Sequence, residues 1–176
     1  MKRKYLISLF IVILSVMLLP GCSRKEKGRF YNDEYNFSIA FPEYWEIQQQ
    51  EMGAAVVALS PEEGIRDDFR ENVAITIEEV SGDSTLEKYF EVSQKNLKSY
   101  SKDYRLLYKN NTWLARKPAM ILGFTYTMSG LKLKVLQYYC LYKNKVYVIT
   151  CTALPHSFER YEETFLKIVR SFRFEK

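Results

Sequence analysis

Histidine, cysteine, glycine and proline are scarce in this sequence. Its 176 residues include one histidine, three cysteines, seven glycines and five prolines. A single imidazole excludes most histidine-based metal sites, and three cysteines are too few for a disulfide-rich scaffold. So little glycine and proline excludes collagen-like and low-complexity chains. Motifs for a phosphate-binding loop, a nucleophile elbow or a zinc protease are also missing, so the sequence provides no catalytic signature.

The residues that are abundant predict a globular domain with a dense core. Hydrophobic residues make up 47% of the chain and charged residues 27%, which is an ordinary globular balance. Tyrosine and phenylalanine are frequent, with 14 and 11 copies. We expect one domain over residues 30–176. A domain of that size buries roughly 70% of its unfolded surface and can be stable without disulfides.

The first 21 residues have the pattern of an export signal. Lys2-Arg3-Lys4 gives a basic start, residues 5–19 carry no charge, and Leu19-Pro20-Gly21-Cys22 follows. The uncharged run is shorter than the roughly 20 residues of a spanning helix. A basic start, a short apolar run and a small residue before the cut are typical of a secretory signal.

The end of this segment resembles a bacterial lipobox, with Leu19 at the third position before the cut and Gly21 at the last. The resemblance implies cleavage before Cys22 and acylation of its thiol, and several acyl chains on one residue suffice for stable anchoring. We therefore expect residues 1–21 to be a signal peptide and residues 22–29 to be a lipidated cysteine with a polar tether. The protein would then lie on the extracytoplasmic face of a bacterial cell membrane. An uncleaved N-terminal anchor is the alternative.

The charge of the mature chain does not indicate nucleic-acid binding. Of 26 basic residues, three lie in the predicted signal, which leaves 23 against 21 acidic residues and a net charge near +2. Nucleic-acid-binding domains carry a much larger basic excess.

Hydrophobic periodicity predicts a mixture of strands and two helices. Helices are expected after a capping box, Ser84-Thr85-Leu86-Glu87, and after Ser157 as N-cap. Turns are expected at Asn110-Asn111, Ser129-Gly130 and Lys143-Asn144. The predicted strands are 37–41, 54–59, 73–77, 104–109, 112–116, 120–128, 132–142 and 146–153.

The predicted strands 132–142 and 146–153 are apolar on both faces, so other elements are expected to pack against both faces of the sheet. Leu133 and Val135 point to one side, and Leu136 and Tyr138 to the other. The sequence therefore predicts an α+β fold, in which an antiparallel β-sheet is flanked by helices on both faces as a three-layer sandwich.

The order of these segments resembles the PsbP-like and DcrB-like family, many of whose bacterial members are lipoproteins. The resemblance rests on five segments across the mature chain, namely Phe37–Trp45, Asn72–Ile77, Thr85–Tyr89, Lys145–Ala153 and Ile168–Phe172. It implies an antiparallel sheet between helical layers. It also implies a non-enzymatic accessory or assembly role, and it supplies no catalytic motif.

Cys140 and Cys151 are predicted to be free thiols. A two-residue turn at Lys143-Asn144 pairs Cys140 with Tyr147 and Cys151 with Leu136. The two thiols then share a face but lie four residues apart along the ladder, which is farther than a disulfide reaches. A four-residue turn would place them opposite each other, so a disulfide remains the alternative.

Other polar groups have simple structural interpretations. His156, the only imidazole, is expected on the surface or at a cap rather than in catalysis. The acidic residues of the 60–71 loop lack the spacing of a calcium loop, so a solvated, mobile loop is favoured. A lysine cluster around the late hairpin, at 132, 134, 143 and 145, is expected to block edge pairing, with an acidic partner or lipid headgroups as alternatives. Trp45 and Trp113 are expected in core or rim packing.

These observations favour a lipid-anchored, extracytoplasmic, non-enzymatic binding or accessory protein. It would bind the membrane through Cys22 and dock an unidentified envelope protein or assist a membrane complex. The first alternative is a binding module for a small apolar or envelope-derived ligand, in a cavity lined by tyrosine and phenylalanine. The second is a cell-wall enzyme with a pair of carboxylates. We expect no catalytic residue, cofactor, metal or nucleic-acid partner, and the partner-binding residues are left open.

Overall fold

The structure is a computed structural model that describes Glu26 and residues 28–51, 53–65 and 67–176. The predicted signal peptide and Cys22 lie outside the described residues. The strands are β1 Arg29–Asn32, β2 Phe37–Ala40, β3 Glu46–Gln49, β4 Val56–Leu59, β5 Asn72–Glu79, β6 Lys102–Leu114, β7 Lys117–Met128, β8 Leu131–Tyr142, β9 Lys145–Ala153 and β10 Arg173–Phe174. The helices are α1 Leu86–Tyr100 and α2 Phe158–Ser171.

The strands form one large and one small antiparallel sheet. The large sheet has the order β3-β4-β5-β9-β8-β7-β6, and the small sheet has the order β1-β2-β10. The small sheet pairs residues near the two chain ends, with Arg173 opposite Ser38. The predicted α+β class and antiparallel pairing are confirmed.

The turn between β8 and β9 is where the sequence predicted it. Lys143 and Asn144 have φ values of 49° and 57°, as a two-residue hairpin turn requires. Cys140 is therefore opposite Tyr147, and Cys151 is opposite Leu136, as the pairing rule predicted. Both thiols are free and buried.

The predicted turn at Asn110-Asn111 is wrong. Both asparagines lie inside β6, where they pair with Ile121 and Met120 of β7. The chain reverses instead at Ala115-Arg116, whose φ values are 46° and 64°. Asparagine tolerates a left-handed turn but does not require one, and continuous pairing with β7 decides its conformation here.

The N-terminus of α1 lies one residue later than the capping box predicted. Thr85 is the N-cap, and its hydroxyl accepts a hydrogen bond from the Lys88 backbone N–H. Ser84 lies outside the helix, and its hydroxyl is 2.9 Å from that of Ser81. The predicted hydrogen bond from the Glu87 side chain back to the N-cap backbone does not fit this helix start, because Lys88 rather than Glu87 occupies the third helical position.

Replacing Thr85 with alanine is expected to destabilise the protein by about 1 kcal/mol, because a backbone N–H at the start of α1 loses its acceptor. The matched change Ser84→Ala is expected to alter the free energy of unfolding by less than about 0.5 kcal/mol. Urea denaturation of the two variants measures the difference. A larger loss of stability for Ser84→Ala than for Thr85→Ala would indicate that Ser84 is the N-cap, as the capping box predicted.

The hydrophobic core consists of two clusters. Alternate residues of β8 enter different clusters, with Leu136 and Tyr138 in one and Val135 and Tyr139 in the other. The first cluster includes Phe158, Phe165, Ile168 and Val169 of α2, and the second includes Leu86 and Phe90 of α1. The late strands therefore bury side chains on both faces, which explains why their sequences show no single polar side.

Candidate functional site

A surface groove lies between the end of the β6–β7 hairpin and the C-terminal half of α2. Its volume is about 770 Å³. We call it the basic groove; its lining residues are Thr112, Trp113, Leu114, Ala115, Arg116, Lys117, Tyr138, Tyr142, Leu166, Val169, Arg170, Phe172, Arg173 and Phe174. The hairpin turn places residues 115–117 beside the helix end, which no local sequence pattern indicates.

Aromatic rings form much of the wall of the basic groove. The rings of Tyr142 and Phe174 are 4.3 Å apart between centroids, and Phe172 meets Phe174 edge-on at 5.1 Å. Lys117 Nζ lies 5.0 Å from the centre of the Tyr142 ring, within the range of a cation–π contact. Trp113 also lines the groove, and 70% of its surface is exposed. The wall therefore offers flat apolar surface beside positive charge.

Four basic side chains line the groove, and no acidic residue does. Arg116, Lys117, Arg170 and Arg173 are all exposed. Within the described ranges, only Arg173 of these four takes part in an ion pair, with Glu26. Three cations without a carboxylate partner give the groove a positive potential, which favours an anionic group.

Glu26 connects the basic groove to the N-terminal segment. Its carboxylate accepts hydrogen bonds from Arg173 Nη1 at 3.0 Å and from Arg29 Nε at 2.9 Å. The hydrogen bonds from Arg173 and Arg29 lower the pKa of Glu26, and Arg173 has the larger effect. Arg29 also donates to the Ser171 carbonyl at the end of α2, at 2.8 Å. The last residues of the predicted tether are thus attached to the folded domain, and Arg29 already belongs to β1.

Cys140 and Cys151 are buried and do not line the groove. Burial raises the pKa of the Cys140 thiol to about 11 and also raises that of Cys151. Both thiols are therefore protonated at neutral pH and poorly nucleophilic. His156 is exposed in the turn before α2, and Ser157 is buried beside it.

The acidic loop is exposed at residues 61–65 and 68, as a solvated loop requires, but two of its carboxylates attach it to the start of α2. Glu71 is 3% exposed, and its carboxylate accepts hydrogen bonds from the hydroxyls of Ser157 and Ser60. Glu63 accepts from Arg160 and from the Tyr161 hydroxyl. Ser157 stands at the N-cap position without capping the helix, because its hydroxyl is used by Glu71 and the Leu154 carbonyl.

The predicted lysine cluster does not exist as one patch. Lys132 and Lys143 are at opposite ends of β8, so roughly 35 Å of strand separates them. Lys145 pairs with Glu79, and Lys134 lies over the Phe158 ring. These lysines are close in the sequence but not in the structure. In the basic groove, by contrast, Arg116 and Lys117 lie beside basic residues more than fifty positions later in the sequence.

Other candidate groups of the described residues lie outside the basic groove. Trp45 is buried in the core against Phe165. Of five grooves on the described surface, none is lined by two carboxylates. No cluster of potential metal ligands occurs among the described side chains. Within the same ranges, no helix is long and apolar enough to cross a membrane.

Fold and site together define a small α+β domain with a basic, aromatic groove. The DcrB family matches residues 63–171, which is more than half of the sequence. The chain belongs to the DcrB family. No curated protein matches the sequence.

Solved structures share the fold at low sequence identity. Cyanobacterial PsbP (CyanoP) from Synechocystis sp. PCC 6803 has a TM-score of 0.64 at 14% identity, covering 89% of this chain and 98% of its own. LpqN, involved in cell envelope biogenesis of Mycobacterium tuberculosis, has a TM-score of 0.69 at 13% identity, covering 84% and 90%. The Saccharomyces cerevisiae Ran-binding protein Mog1p has a TM-score of 0.58 at 10% identity, covering 83% and 94%. Identities this low establish the shared fold alone.

Proposed function

We propose that this protein is a lipid-anchored, extracytoplasmic binding or accessory protein without catalytic activity. It is attached to the cell membrane through Cys22 and binds an anionic component of the envelope in the basic groove. From that position it would dock an envelope protein or assist a membrane complex. The described residues give no support to the carboxylate-enzyme alternative.

The observation that carries the proposal is the composition of the groove. Arg116, Lys117, Arg170 and Arg173 line it together with exposed and half-buried aromatic rings, and no carboxylate is present. Guanidinium groups bind carboxylates and phosphates with two parallel hydrogen bonds, so arginine is suited to this recognition. Binding an anion needs these groups, whereas hydrolysis would also need a nucleophile or general base at the same place.

A small envelope-derived ligand is the second candidate, and one observation favours it. The groove lies between the sheet and α2 and is lined by Tyr138, Tyr142, Phe172 and Phe174, as the alternative of an aromatic cavity requires. The ligand would have to combine an apolar part with an acidic group. Native mass spectrometry of the purified protein tests this, because such a ligand would co-purify with wild type and be absent from an Arg116→Glu, Arg170→Glu variant.

The three-layer arrangement is part of the same proposal. Since α1 and α2 contribute to different core clusters, each helix would form a layer on its own face of the large sheet. The α2 layer would end at Ser171 and leave the groove open beside the β6–β7 turn.

A photoreactive phenylalanine analogue at position 113 is expected to form a specific crosslink in intact cells, because Trp113 lines the groove and is exposed. The same analogue at Tyr44, which is 68% exposed outside the groove, is the matched control. The crosslink should disappear when Arg116 and Arg170 are both changed to glutamate. Mass spectrometry identifies the adduct, and equal products from positions 113 and 44 would contradict a binding role for the groove.

A further inference from the structure

We propose that the anionic partner of the basic groove is the phospholipid headgroup surface of the membrane that carries the protein. This inference rests on the proposed function, because it names the partner of the same site. Docking would place the β6–β7 turn and the end of α2 against the headgroups. The groove would then set the orientation of the domain on the membrane, which a lipid anchor alone does not fix.

Charge complementarity is the first argument. Arg116, Lys117 and Arg170, which have no carboxylate partner among the described residues, come from the β6–β7 hairpin and from α2 and line one groove. An anionic leaflet attracts basic residues that lie within a Debye length of it, and this attraction decreases with distance. No carboxylate of the described part of the chain lines the groove, and Glu26, which pairs with the lining residue Arg173, is also bound by Arg29.

Trp113 provides the second argument. It lines the groove beside the turn and is 70% exposed, while the other tryptophan, Trp45, is 4% exposed. Indole rings are enriched at the boundary between headgroups and acyl chains, because they combine an apolar body with an N–H donor. An exposed tryptophan next to three unpaired cations is the arrangement expected at a membrane contact.

The third argument is the distance to the proposed anchor. Glu26 Oε1 lies 3.0 Å from Arg173 Nη1, and Arg173 lines the groove. Glu26 is four positions after Cys22, so the backbone between them spans at most roughly 14 Å. Acyl chains at Cys22 therefore bring the membrane surface to the same side of the domain as the groove. Arg24, Lys25 and Lys27 add basic charge to this segment.

The test uses the full chain, isolated from the membrane fraction and placed in nanodiscs. One set contains phosphatidylcholine alone, and the other contains phosphatidylcholine mixed with phosphatidylglycerol, both with brominated acyl chains that quench indole fluorescence. Trp113 is expected to be quenched in the anionic nanodiscs and much less in the neutral ones. Trp45 is the internal reference because it is buried. Trp113→Phe removes the quenched signal and assigns it, and high salt should reduce the quenching.

The decisive variant is Arg116→Glu with Arg170→Glu. Neutralising one basic residue near an anionic surface lowers binding by roughly five-fold, so losing two lowers the docking equilibrium constant by roughly 25-fold or more. Lys95→Glu with Lys98→Glu makes the same change in net charge on exposed positions of α1 and should retain quenching. Arg116→Lys with Arg170→Lys keeps the charge and should also retain it, which separates lost charge from a damaged fold.

The outcomes separate this inference from the proposed function. Quenching that depends on anionic lipid and on Arg116 and Arg170 supports membrane docking, and the position 113 crosslink should then be a lipid adduct. The membrane inference is overturned if Trp113 is quenched equally in neutral and anionic nanodiscs. It is also overturned if the Lys95→Glu, Lys98→Glu variant loses the quenching. Absent quenching with a specific protein or metabolite at the groove overturns the membrane inference and leaves the proposed function intact. Absent quenching and absent groove-specific binding overturn both.

Discussion

Replacing Phe37 with alanine is expected to lower the free energy of unfolding by about 3–5 kcal/mol. Phe37 is fully buried, and its ring lies 5.5 Å from that of Phe172, 6.0 Å from that of Phe30 and 6.3 Å from that of Tyr147. These rings belong to β1, β9 and the segment after α2, so Phe37 joins the small sheet to the large one. Alanine would leave a cavity that three different elements would have to fill.

Urea denaturation, followed by circular dichroism, measures this loss. A domain of ordinary stability has about 5–15 kcal/mol in total, so the variant should unfold at a much lower urea concentration. Tyr44→Ala is the matched control, because Tyr44 is an aromatic residue of the neighbouring loop that is 68% exposed. It should change stability by less than about 0.5 kcal/mol. A loss below about 1 kcal/mol for Phe37→Ala would show that the two sheets do not depend on this contact.

The Phe37 cluster also shows where local sequence patterns suffice and where they do not. Alternation in 37–41 predicts a strand with one buried face. A strand forms there, but Ser38 on the opposite face is as fully buried as Phe37 and Ile39, so the prediction of a single buried face is wrong. The partners of this strand are β1 and the two-residue β10, which are far apart in the sequence but lie on either side of β2. A two-residue strand has no periodicity, so its pairing can be found only from the folded chain.

Two of the three hairpins after α1 show that some turns follow from local sequence and others do not. Lys143-Asn144 lies between two strongly apolar strands, so the turn and its register follow from the residues around it. Ala115-Arg116 has no turn signal, and both residues adopt positive φ values that neither residue type favours. The long ladder between β6 and β7 imposes that turn, which is why the local preference of Asn110-Asn111 predicted the wrong position.

The basic groove, like the Ala115-Arg116 turn, could not be predicted from local sequence patterns. Arg170 and Arg173 are close in the sequence, but Arg116 and Lys117 reach them only through the β6–β7 reversal that local patterns missed. The lysines at 132, 134, 143 and 145 are near in sequence and separated by the length of β8. Basic residues must be grouped by topology rather than by chain position, because a long strand carries its two ends far apart.

Changing Cys22 to serine is expected to move the protein from the membrane fraction to the soluble secreted fraction. Stable anchoring needs two membrane signals, such as two acyl chains or one chain with a basic patch. Without acyl chains only the basic groove and the basic tether would remain, and their attraction is weakened by physiological salt. The groove alone would therefore give reversible association rather than anchoring.

Cell fractionation of Cys22→Ser and of Cys140→Ser measures this difference. Cys140 is buried in the folded domain, so its replacement should leave the protein with the membrane. The Arg116→Glu, Arg170→Glu variant should also stay there, because it keeps the acyl chains and loses only the orientation that the groove provides. If Cys22→Ser sediments with the membrane as wild type does, the segment 1–21 is an uncleaved anchor. If the groove variant were released instead, electrostatic docking rather than lipidation would hold the protein at the envelope.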